Sequence, residues 1–258
     1  MAECEKKNQF SERLEEIFEF VKKAANEKEG WEERANKEGV MVYSMKDPDV
    51  PLDKVKATGL VRASLDEIYF LLLDREIYMK VDKNAKEFRT LRKIDEDTMV
   101  NYSRYRGYYT VADRDFVYVV GKKLEPNTSL LYASTSVPFE SEETADEKKK
   151  ESEFHVACPK GVVRGYVYYS GWYIVPVEEP SESEKKAAGY GSKKGGKGEG
   201  EKECWCKVCY SGQLDLRGWI PTRILNMAAG AITSVITSMR GNMPLVREEM
   251  ASRSAVMT

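Results

Sequence analysis

Residues able to do chemistry are few in this 258-residue sequence, and they are poorly grouped. One histidine, His155, lies in a charged stretch, so Ser-His-Asp or Cys-His catalysis has a single candidate base. The chain is therefore read as a non-enzyme, with no catalytic residue and no cofactor. Cys204-Trp205-Cys206-Lys207-Val208-Cys209 offers three sulfurs. On a strand Cys204 and Cys206 share one face and Cys209 points the other way, with no fourth Cys or His nearby to complete a tetrahedral zinc site. No metal is expected there; the cysteines read as small buried strand residues. The 41 basic and 43 acidic side chains nearly cancel, which excludes nucleic acid as a partner.

The elements that must position any site are legible from periodicity. Gly212 to Gly241 reads as a bounded terminal helix, with Pro221 in the first turn, where its missing N–H costs nothing, and Gly241 as the stop. Ile224, Met227, Ala228, Ala231, Val235 and Met239 form one apolar face, and the small residues Ala228 to Ala231 let another molecule or backbone approach closely. The stretch from Arg223 to Arg240 is too short and too polar to span a membrane. Phe10, Leu14, Ile17, Phe18 and Val21 predict an amphipathic first helix ending before Gly30. Val40 to Met45 and Val55 to Ala63 read as strands, and Ser64 to Glu67 as a capping box opening a helix through Leu73. Phe88 to Ile94, Met99 to Tyr105, Phe116 to Leu124, Ser129 to Val137, Val162 to Val177 and Glu203 to Leu216 then read as antiparallel strands.

Two segments interrupt this order. The charge cluster near 140–154 and the Gly/Lys/Glu-rich stretch 178–203 have little to bury and are expected as mobile hairpin insertions in a single domain spanning 1–258, with its folded part at about 10–240. The length suits one large domain with a substantial core. The five cysteines do not form a secreted disulfide pattern and the first ten residues lack an apolar run, so a reducing, cytoplasmic setting is expected.

Arg114-Asp115-Phe116-Val117, Ser134-Thr135-Ser136, Gly161-Val162-Val163-Arg164 and above all Asp215-Leu216-Arg217-Gly218-Trp219-Ile220-Pro221 before an apolar helix resemble the steroidogenic acute regulatory protein-related lipid transfer (START) domain family. The resemblance covers about Phe10 to Arg240. It implies an α+β helix-grip fold, a curved antiparallel sheet around a long C-terminal helix that encloses a lipid tunnel. It also implies intermembrane lipid transfer by a cytoplasmic, peripherally membrane-associated monomer that makes transient membrane contact. The acidic residue and arginine that sterol-binding members place in the tunnel match positions near Asn101 and at Val120, so that charged pair is missing here. The aromatic cage of phosphatidylcholine-binding members matches Tyr102, Phe116 and Tyr168, and their phosphate-holding pair matches Tyr78 and Asp82, with Tyr78 in the arginine's place and Arg75 one helical turn earlier. A phospholipid ligand with a choline head group is the leading expectation. Sterol or ceramide binding, or a non-transferring sensor acting through a protein partner, are the alternatives. Met227 and Ala231 are expected to face the ligand. The loop holding Tyr108, Tyr109 and Val111 is expected at the tunnel mouth as a membrane gate, because tyrosine suits the membrane–water interface.

Overall fold

The computed structural model describes residues 8–50, 52–107, 110–126, 128–137, 154, 156–190, 203–218, 220 and 222–256, with the backbone alone for 222–231 and 256. Helix α1 (Ser11–Asn26) buries Leu14, Ile17, Phe18, Val21 and Ala24, the face its periodicity predicts. Among the described residues ten strands form one sheet: β1 (Glu32–Lys37), β2 (Val40–Met45), β3 (Lys54–Val61), β4 (Ala85–Lys93), β5 (Thr98–Tyr105), β6 (Asp113–Leu124), β7 (Leu130–Ser136), β8 (Val162–Arg164), β9 (Tyr166–Val177) and β10 (Trp205–Asp215). Their order is β1-β2-β3-β10-β9-β7-β6-β5-β4, antiparallel along this path, with β8 parallel to β6. This is the α+β helix-grip arrangement.

Helix α2 (Leu65–Leu73) opens on the expected capping box, in which Ser64 Oγ accepts from the Glu67 amide and the Glu67 carboxylate accepts from the Ser64 amide. Asp74 then ends α2 and starts the unanticipated α3 (Arg75–Val81), its carboxylate accepting from the Ile77 amide at 3.0 Å. Helix α4 (Glu182–Ala187) falls inside the stretch expected to be a mobile insertion. Its Ser181–Glu184 capping box orders the start of the helix, and Ala188 is buried with Leu60 of β3 and Trp205 of β10, so residues 181–190 dock against two central strands, a correction to that expectation; residues 191–202 lie outside the described residues. Most of the 140–154 stretch also lies outside them, while Phe154 is buried and its ring meets Phe10 at 5.8 Å.

The largest departure is at the C-terminus. Helix α5 (Thr222–Val256) does not stop at Gly241 but continues through Gly241 and Pro244. An internal proline costs about 3 kcal/mol of helix propensity and a glycine about 1. Met243 and Val246 offset a cost of this size, being 2% and 0% exposed in the core formed with Ile68, Leu71 and Ile77, where burial of each side chain contributes roughly 1.5–3 kcal/mol. The extension is also pinned by Arg247 to Glu67 at 2.6 Å, Arg253 to Asp74 at 2.5 Å, and a Lys80–Glu249 ion pair.

The sheet separates two cores. On its outer face α1 seals Val100, Tyr102, Val117, Val119, Leu131 and Ala133. On its inner face α2, α3 and α5 pack over Leu130, Trp172, Ile174 and Val208.

Candidate functional site

Strand alternation decides what the inner face presents. On β5, Ser103 and Tyr105 face inward, and on β6 so do Arg114, Phe116 and Tyr118. Together with Trp172 of β9, Tyr210 of β10, and Val235, Met239 and Asn242 of α5 they enclose a cavity of about 870 Å³ whose walls are predominantly apolar. That size and lining suit one largely apolar ligand.

Polar groups converge at one end of it. The Tyr78 and Tyr105 hydroxyls are 2.9 Å apart, and Tyr78 also donates a long 3.4 Å bond to Asp82 Oδ2. The other carboxylate oxygen of Asp82 accepts from the Asn84 amide at 2.9 Å, and no cation among the described residues forms an ion pair with it. Burial, reinforced by the neighbouring phenols and Asp82, holds the Tyr78 phenol well above its ordinary range, and burial likewise raises Tyr105, Tyr118 and Tyr210. All four stay protonated at neutral pH, so they remain hydrogen-bond donors.

Phe116 crosses the break between β8 and β9. A Cβ at Gly165 would lie 2.3 Å from the Phe116 ring, so only glycine admits the ring there. This explains why the long run from Val162 to Val177, expected as one strand, is split in two. Tyr105 packs edge-on against Phe116 at 6.0 Å.

Arg114 organises the mouth. Only 6% exposed, it donates to the carbonyls of Ala112 at 2.6 Å, Leu216 at 3.1 Å and Arg217 at 3.0 Å. It thereby ties the loop after β5 to the junction between β10 and α5, and burial without a carboxylate depresses its pKa. Its chain neighbour Asp115 points to the outer face, where it is fully buried and receives Arg164 at 2.7 and 2.9 Å. Gly107 makes the loop's tight turn possible, since a Cβ there would sit 1.9 Å from the Val111 carbonyl oxygen.

The expected site residues divide accordingly. Tyr78, Asp82, Phe116 and Val111 line the cavity. Tyr102 does not: it lies in the outer core, 1% exposed, with Asp115 near its phenol and Arg89 4.7 Å above its ring. Burial and then Asp115 push its phenol up to about 12. Tyr168 is also on the outer side, packed edge-on against Tyr166 at 5.0 Å. The register shifts here, because Gln213 pairs with Tyr169 while Leu214 pairs with Val167, and the skipped Tyr168 is the bulged residue. The three-ring cage is thus not assembled, and this is a correction to the expectation. Arg75 lines a smaller neighbouring chamber, not the main cavity. Tyr108 and Tyr109 lie outside the described residues, as do the side chains of Met227 and Ala231 on α5. Sequence reasoning missed Tyr105, Arg114, Trp172 and Tyr210. Tyr105 was recoverable, because it is two positions from Ser103, the direct partner of Phe116. Burial pushes the Cys206 and Cys209 thiols up to about 12, as small buried strand residues, whereas Cys204 is exposed ahead of β10, a correction to the expectation that all three are buried on the strand.

A curved antiparallel sheet gripping a long C-terminal helix, with a mainly apolar cavity between them, defines a lipid-binding helix-grip protein. The START domain family model matches residues 11–243, and the chain belongs to that family, whose members bind lipid in an internal pocket. Among solved structures the chain is similar to human StAR-related lipid transfer protein 5, at 16% identity and TM-score 0.67, covering 93% of this chain and 97% of that one. It is similar to human STARD10 at 16% identity and TM-score 0.68, covering 93% and 83%. The lipid transfer and protein localization domain of human StarD13 is 19% identical with TM-score 0.56, covering 90% and 97%. At such identities these structures establish the fold. No curated protein sequence matches the chain. No helix among the described residues is long and apolar enough to cross a membrane.

Proposed function

We propose that this START domain binds one phospholipid with a choline head group and carries it between membranes without a chemical step. The observation that carries the reading is the Asp82 carboxylate at the cavity wall, unpaired by any cation among the described residues and set among the rings of Tyr78, Tyr105 and Phe116. A quaternary ammonium cannot donate a hydrogen bond, so it is recognised by ring faces and a nearby negative charge; the ring contribution reaches about 2 kcal/mol when desolvated. Lys83 and Arg106, on the same rim, supply positive charge for the phosphate. The acyl chains then occupy the apolar remainder, where burial stabilises the complex by about 25 cal/mol per Å². The protein works as a cytoplasmic monomer that touches membranes transiently. Arg114 couples the loop after β5 to the junction between β10 and α5, so that the two open as one gate, since opening either breaks its carbonyl contacts.

The test is transfer of labelled lipid between vesicles by the purified chain, with phosphatidylcholine and phosphatidylethanolamine offered at equal concentration. Preferential transfer of phosphatidylcholine is expected. Equal transfer would remove the head-group reading, and binding without transfer would favour a sensor.

A further inference from the structure

Helix α3 has only seven residues, too few to be stable alone in water, so its placement is set by what packs on it. Asp74, Tyr78 and Asp82 recur at intervals of four and therefore run in a line along one side of it. Asp74 caps the helix through the Ile77 amide, while Tyr78 and Asp82 stand in the cavity wall, the Tyr78 hydroxyl 2.9 Å from that of Tyr105. Whatever fixes the roll of α3 about its own axis thereby fixes the phenol and the carboxylate at the polar end of the cavity.

Three residues that hold α3 come from the last part of α5, beyond the stretch 11–243 that the START family model matches. Val246, fully buried, shares its core with Ile77 and so seats the middle of α3. Arg253 grips the first turn: it reaches the two carboxylate oxygens of Asp74 at 2.5 and 3.3 Å and Glu76 at 3.2 Å, with its guanidinium 5.1 Å from the centre of the Phe70 ring. Glu249 grips the last turn through its ion pair with Lys80. The Asp74 and Glu249 side chains are only 18% and 22% exposed, so these pairs are screened less than fully solvated ones. Arg247, bonded to Glu67 at 2.6 Å and to the Arg62 carbonyl at 2.8 Å, ties the same stretch to the start of α2.

We infer that residues 244–256 are a clamp on α3, with Arg253 and Glu249 as positioning residues for Tyr78 and Asp82. Neither of the two lines the main cavity; they act through the helix. Loosening either end lets α3 roll and carries Tyr78 and Asp82 away from Tyr105. Head-group selection then weakens while the apolar remainder of the cavity still takes acyl chains. The head-group consequence rests on the function proposed above, and the clamp itself does not.

Hydrogen exchange of the full chain is followed by mass spectrometry over residues 75–82, and lipid captured from vesicles holding equal phosphatidylcholine and phosphatidylethanolamine is identified. In Arg253→Ala, α3 is expected to exchange about three- to fivefold faster and the choline-to-ethanolamine capture ratio to fall by a similar factor, the change that loss of a partly exposed ion pair produces. Capture of phosphatidylethanolamine should move little. Arg253→Lys, which keeps the charge, should retain part of the wild-type behaviour. Lys80→Glu should loosen α3 in the same way, and Lys80→Glu combined with Glu249→Lys should restore it. Unchanged α3 exchange in Arg253→Ala, or an equal loss of both lipids, would overturn the clamp and leave the choline reading standing. A wild type without head-group preference would remove the choline reading, and the exchange rates would then decide the clamp alone. Added salt screens the pairs and should speed α3 exchange in the wild type, so the clamp stands or falls on that response even where a variant fails to fold.

Discussion

The two faces of β5 and β6 are made by alternate residues of the same strands, yet they have opposite characters. Outward, Val100, Tyr102, Val117 and Val119 are packed tight in the core that α1 closes, with the buried Asp115–Arg164 pair beside them. Inward, Asn101, Ser103, Tyr105, Phe116 and Tyr118 border the two cavities with hydroxyls, an amide and rings. The outer face supplies stability and the inner face supplies a container. The cavity is mainly apolar overall, yet on these two strands the side toward it mixes rings with hydroxyls and an amide. A wall that must hold a lipid head group needs polar atoms, and a wall sealed by a helix does not.

Substitutions on the two faces should therefore separate stability from binding. The largest stability effect is expected from Arg164→Ala, which leaves the fully buried Asp115 without its cation. Losing one partner of a buried pair costs about 3–5 kcal/mol, so denaturant unfolding should shift strongly while lipid capture per folded molecule stays unchanged. A matching loss of capture would show that the faces are coupled.

On the inner face, Tyr105→Leu with Phe116→Leu keeps apolar volume and removes the rings. Phosphatidylcholine capture should fall roughly 10- to 30-fold, the equivalent of up to about 2 kcal/mol, with the unfolding midpoint moving little. Asp82→Asn should lower the preference for choline over a neutral head group by about fivefold, on the order of 1 kcal/mol for a partly solvated charge. An undiminished preference in competition transfer would remove Asp82 from the site.

Two smaller effects belong to the outer face. Tyr102→Phe deletes the buried hydroxyl beside Asp115 and should change stability by no more than about 1 kcal/mol, with no change in capture. Weakened capture would place Tyr102 back among the ligand contacts. Asp47 accepts from Lys54 at 2.9 Å, from the Asp49 amide and from Gln213, and these donors lower its carboxyl to about 2. A carboxylate depressed by folding adds stability above its unfolded pKa and loses it as the pH falls toward the folded value. Asp47→Asn should accordingly flatten the fall in stability between about pH 4 and pH 2, as read by thermal melts across that range.

Much of this protein was determined by sequence alone. The Ser64 capping box, the burial face of α1 and the strand limits of β2 and β5 depend on hydrogen bonds and periodicities between residues near in the chain. The Gly-Trp-Ile-Pro junction before the last helix likewise marked the family, whose model matches residues 11–243. Tertiary structure decided the rest. Alternation says that Tyr102 and Tyr105 lie on opposite faces, but which face is the tunnel depends on where α1 docks. The bulge at Tyr168 puts Tyr168 and Tyr169 on one side and is visible only once β9 and β10 are paired. The passage of α5 through Gly241 and Pro244 depends on Met243 and Val246 finding Ile68, Leu71 and Ile77, more than 160 positions earlier in the chain. Local propensity sets where elements can begin; burial against distant partners sets where they end and which residues meet the ligand.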